Sequence, residues 1–94
     1  MQNLEDILTD IRRMYDCGEL QQALELARQL THDNTGNAEA WFMLGKILWR
    51  LDRRAEATSA YHMAAELDST SPAVIALRHA EDIADFFNPD LFNP

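Results

Sequence analysis

The chain repeats itself at an interval of 34 residues. Gly18 and Asp52 stand at corresponding turn positions, and Ala23 and Ala57, Ala27 and Tyr61, and Glu5 and Glu39 are separated by the same 34 positions. Self-similarity over a period of about 20–50 residues marks stacked supersecondary units, none of which can bury its apolar face alone. The apolar spacing inside each interval shows what that unit is.

In the first block Leu4, Ile7, Leu8, Ile11, Met14 and Tyr15 recur at helical spacing, with Asn3 placed as an N-cap and Asp6 in the first turn. This predicts a helix from about Asn3 to Asp16, ended by Cys17-Gly18, where glycine takes a left-handed C-cap without a Cβ clash. Leu20, Ala23, Leu24, Ala27 and Leu30 form the stripe of a second helix, closed by the polar run Thr31 to Gly36. Asn37 caps a third helix, Ala38 to Leu51, with Trp41, Leu44, Ile47 and Leu48 on the same side as Gly45. A mid-helix glycine costs about 1 kcal/mol relative to alanine, so Gly45 signals a close approach by another helix. A fourth helix, Arg54 to Leu67, carries Ala57, Ala60, Tyr61 and Ala64, and Gly45 is expected to meet Ala57 across that interface. Ser71-Pro72 opens a fifth helix lasting to about Phe87, because Pro89 disfavours the α conformation at Asn88. No segment alternates as a strand does, so the fold class is all-α with antiparallel neighbours.

Residues 38–71 resemble the tetratricopeptide repeat family: Ala38-Glu39-Ala40-Trp41, Leu44-Gly45, Ala57, Tyr61, Ala64 and Leu67-Asp68 all sit at that family's spacing. Residues 4–37 resemble a more divergent first repeat that keeps Gly18, Leu20, Ala23 and Ala27 but has Ile7 and Asp10 at the positions of the family's tryptophan and leucine. Asp52-Arg53-Arg54 replaces the usual Gly-Asp-aromatic turn, and aspartate tolerates the left-handed backbone such a turn needs. The resemblance implies one domain over residues 1–94: a right-handed solenoid of antiparallel helix-turn-helix repeats, closed by a capping helix and tail over 72–94. In the fifth helix Ile75, Arg78, His79 and Asp82 fall where a complete repeat would pack on its own second helix. Three of those four are polar, so that face is expected to meet water, while Val74, Leu77, Ala80, Ala84 and Phe87 pack on the second repeat.

Charge narrows the partners. Sixteen acidic residues against eight Lys and Arg give a net charge of −8, which repels phosphate backbones and anionic headgroups, so neither nucleic acid nor membrane is expected. The longest uncharged stretches are nine residues, against the roughly 20 of a spanning helix. The N-terminus has no basic region followed by an apolar one, so no secretory signal is read and the cytoplasm is the expected compartment. The single cysteine, Cys17, cannot form an internal disulfide or a zinc cluster. His32, His62 and His79 fall on three different elements, and the carboxylate pairs Glu5-Asp6 and Glu81-Asp82 point to different sides of their helices. No catalytic residue, metal site or cofactor is expected.

The resemblance also implies a concave groove lined by the first helix of each unit. Its positions fall on Glu5, Leu8, Arg12 and Tyr15, then Glu39, Phe42, Lys46 and Trp49, then Ala73, Ala76, Ala80 and Ile83. Some family members clamp a C-terminal carboxylate with basic residues and asparagines; here only Arg12 and Lys46 are basic and the asparagines are missing, so no clamp is expected. Aromatic anchors beside two cations suit an extended or helical peptide. The tail, residues 86–94, repeats Phe-Asn-Pro twice, and Leu91 and Phe92 are expected to dock on apolar surface, either the groove near Phe42 and Trp49 or a second copy. The acidic residues Glu81, Asp82, Asp85 and Asp90 would complement the basic cluster Lys46, Arg50, Arg53 and Arg54. The expected function is therefore a non-catalytic adaptor or scaffold that binds a protein or peptide. The alternative is a structural homo-oligomer, in its simplest form a homodimer, built through groove and tail.

Overall fold

A computed structural model describes residues 3–86, with side chains described as far as Ala80. The order is α1 (Leu4–Asp16), α2 (Leu20–Asp33), α3 (Ala38–Arg50), α4 (Arg54–Leu67) and α5 (Ala73–Phe86), and the described residues contain no strand. Both bounds of α1 return 34 positions later in α3, and both bounds of α2 return at the same interval in α4.

Local chemistry explains the recurrence. Asn3 Oδ1 accepts from the Asp6 amide at 2.9 Å, and Asn37 Oδ1 accepts from the Ala40 amide at 2.8 Å, each satisfying an amide in the first helical turn that lacks an intrahelical partner. Both first helices end in a Schellman motif. Glu19 N–H donates to Met14 O and Gly18 N–H to Tyr15 O; Arg53 N–H donates to Leu48 O and Asp52 N–H to Trp49 O. Gly18 takes φ +81° and Asp52 φ +62°, so aspartate fills the left-handed position in the second repeat, as its tolerance of that backbone allows. At α5, Ser71 Oγ accepts from the Ala73 amide at 3.1 Å and Pro72 O from the Ala76 amide at 3.1 Å, which fits serine as the cap with proline behind it.

Each helix packs on its neighbour in the chain, and α1 also reaches α3. The short turns reverse direction each time, so α1, α3 and α5 run the same way. Leu8 and Ile11 of α1, Leu24 of α2, Ile47 and Leu48 of α3 and Tyr61 of α4 anchor one continuous core. Ala23, Ala27, Ala57, Ala60 and Ala64 are all buried; small side chains there let α2 and α4 lie close against α1 and α3. Gly45 does not have Ala57 as its nearest neighbour. The atoms nearest to where its Cβ would stand are Cε1, Cδ1 and Cζ of Tyr61, one helical turn beyond Ala57. Trp41 Nε1–H donates to Thr35 O at 2.9 Å and ties the start of α3 to the turn before it. On α5, Ile75 is 73% exposed with Arg78 and His79 exposed beside it.

Candidate partner-binding groove

The parallel first helices place α1 beside α3, and the groove between them collects five of the expected residues. Arg12, Tyr15, Glu39, Phe42 and Lys46 line a cleft of about 300 Å³. Arg12 forms an ion pair with Glu39 that bridges the two helices. The Lys46 ammonium stands 4.7 Å from the centre of the Tyr15 ring and 5.6 Å from that of Phe42, while the Arg50 guanidinium lies 4.9 Å from the Tyr15 ring. Arg50 Nη1–H also donates to Tyr15 O at 3.2 Å, the carbonyl that accepts from Gly18 N–H at the end of α1. The face is thus an aromatic floor edged by cations. Such cation–ring contacts contribute about 0.5–1 kcal/mol each at exposed sites.

Phe42 is held from behind by Tyr61, the two ring centres 6.0 Å apart and tilted by 39°. Burial pushes the Tyr61 phenol up to about 12, with the nearby Tyr15 phenol adding to the shift, so Tyr61 stays neutral well into the alkaline range. Phe42 and Glu39 also border a second cleft of about 240 Å³, completed by Asp68, Thr70, Ser71 and Pro72 at the start of α5. Asp68 Oδ1 accepts from the Thr70 amide at 2.9 Å and from its hydroxyl at 2.6 Å, and these bonds hold the carboxyl below the usual carboxylate range. The two clefts therefore meet at Phe42.

Other expected groove residues lie elsewhere. Leu8 is completely buried and belongs to the core, so it offers no surface to a partner. Ala73 and Ala80 are buried as well, and Ala76 is half-buried against the core. Trp49 borders neither cleft; its ring carries the Arg54 guanidinium at 5.1 Å. Ile83, Leu91 and Phe92 lie outside the residues whose side chains are described. Asp16 and Met43 line the first cleft without having been singled out from sequence. A further depression of about 450 Å³ lies between α2 and the start of α3, lined by Arg28, Thr31, His32, Thr35, Trp41 and Leu44.

A tetratricopeptide repeat family model matches residues 15–80. The chain belongs to the tetratricopeptide repeat family. The match runs from the last turn of α1 into α5, so it covers both sides of the Phe42 cleft. A comparison with curated proteins finds no match. Tetratricopeptide repeats are typically non-catalytic protein–protein interaction modules, and in this member of the family the described residues hold no group of three His, Cys, Asp or Glu side chains placed to bind a metal. Among them, no helix is long and apolar enough to cross a membrane.

Proposed function

We propose that this tetratricopeptide repeat protein is a non-catalytic adaptor that binds a peptide segment of a protein partner in the groove between α1 and α3. The observation that carries the reading is the junction of two clefts at Phe42, with Tyr15 and Met43 beside it and Lys46 at the rim. An apolar partner side chain seated on Phe42 removes its own surface and that of the ring from water at about 25 cal/mol per Å². Among the described residues Lys46 pairs with no carboxylate, so an acidic residue next to that anchor finds a cation already positioned by two rings. The setting proposed is the cytoplasm, where the exposed thiol of Cys17 stays reduced.

The test is a selection of short peptides displayed at random, followed by mapping of the best binder on the isotope-labelled chain by NMR. Shifts centred on Tyr15, Phe42 and Lys46 are the expected result. Shifts centred instead on Arg28, His32 and Trp41 would move the binding face to the depression beside α2. A homo-oligomer would show itself as shifts that depend on protein concentration without any peptide.

A further inference from the structure

We infer that the resident occupant of this groove is the chain's own segment 87–94, which folds back so that Leu91 and Phe92 rest at Phe42 and Asp90 meets Lys46 and Arg50. The inference rests on the groove reading above and adds what fills the groove before a partner arrives.

Reach allows it. Ser71 and Pro72, just before α5, line the second cleft with Phe42, and the 14 residues of α5 rise about 21 Å, so the chain leaves α5 roughly 20 Å from that cleft. Phe92 is six residues beyond Phe86, and six extended residues span about 20–22 Å, whereas the full eight span about 26–29 Å. The apolar pair thus arrives at the level of Phe42.

Charge favours this face. Residues 81–94 carry Glu81, Asp82, Asp85 and Asp90 and no Lys, Arg or His. Of the four cations at the end of α3 and its turn, Arg53 is engaged by Glu56 at 2.8 Å and Arg54 by Asp52 at 3.3 Å. Lys46 and Arg50 pair with no carboxylate among the described residues, and both lie over the Tyr15 ring on the route the segment would take. The segment also has the composition argued for the partner, an acidic residue directly before two apolar ones, so it competes with that partner for the same cleft.

The test uses the full chain with a nitroxide on Asn93→Cys in a Cys17→Ser background, Cys17 being exposed at the α1 C-cap. The amide signals of Tyr15, Phe42 and Lys46 should lose most of their intensity, while those of Gln29 and Asp33 keep theirs. Lys46→Glu should restore the lost signals, and Asp90→Lys in that variant should remove them again. Sharp signals at Phe42 and Lys46 in the labelled chain overturn the inference. So does broadening found only when label and isotope are on different chains, which assigns the groove to a second copy. A displayed peptide that binds at Phe42 while the label leaves Phe42 sharp would overturn only this inference and leave the groove reading standing.

Discussion

Gly45 of α3 lies so close to Tyr61 of α4 that a Cβ on the glycine would stand 2.5 Å from Tyr61 Cε1 and 2.6 Å from Cδ1. The ring cannot retreat freely, since Tyr61 is only 5% exposed and its centre already stands 6.0 Å from that of Phe42. The glycine is therefore what lets the aromatic floor of the groove sit where it does.

Gly45→Ala gains about 1 kcal/mol of helix propensity yet forces the ring to move, and overpacking of this kind costs about 1–3 kcal/mol. Chemical denaturation should show a net loss of stability, and a displaced Phe42 should weaken peptide binding as well. A more stable alanine variant would mean that the two helices are not held at this distance.

The two left-handed turn residues should respond in opposite directions. Gly18→Ala places a Cβ in a backbone conformation that costs about 1–2 kcal/mol, whereas Asp52→Gly relieves a similar but smaller cost. Thermal melting should fall for the first and hold or rise for the second. A drop with Asp52→Gly would show that the aspartate side chain contributes more than its backbone costs.

Asn37→Ala removes the oxygen that accepts from the Ala40 amide, and loss of such a cap costs about 1 kcal/mol. Asn37→Ser should recover most of that. Equal stability of all three proteins by denaturant titration would remove the cap from the account.

Tyr61 links stability to alkaline pH. Its folded pKa of about 12 lies above the ordinary value of 10.0, so the folded state holds the proton more tightly than the unfolded one. The stability this contributes is fully present below pH 10.0 and is lost as pH rises towards 12. Melting temperatures of the wild type should fall across that window more steeply than those of Tyr61→Phe; parallel curves would contradict the burial of the phenol.

Much of the fold was legible because it is set by local chemistry repeated at a fixed interval. Asn37 as a cap, Gly18 at a left-handed turn and Ser71-Pro72 as a helix start each depend on a few neighbouring residues, and the apolar spacing between them supplied the order of helices. Aspartate at position 52 could be read too, since its backbone tolerance is a property of the residue itself. The groove was harder because it depends on which helices cover which faces. Leu8 belongs both to the apolar stripe of α1 and to the groove positions the resemblance implies, and its complete burial decides for the stripe, which depends on the helices packed on α1 rather than on α1 itself. Gly45 announced a close contact correctly, yet its nearest neighbour depends on how far the Tyr61 ring reaches, which side-chain spacing along α4 does not give. The second cleft arises from the Asp68–Pro72 turn meeting Phe42, and the only trace in the sequence was the helix start at Ser71.

The most direct test of the central claim is the dissociation constant of a displayed peptide for three variants, each checked for an unchanged circular dichroism spectrum. Phe42→Ala, at the junction of the two clefts, should weaken binding by about 30-fold, the equivalent of a 2 kcal/mol hot spot. Lys46→Glu should weaken binding of peptides with an acidic residue beside the anchor, and His32→Ala, in the depression by α2, should leave the constant unchanged. Full affinity in Phe42→Ala together with a loss in His32→Ala would contradict the claim that the α1–α3 groove is where this protein meets its partner.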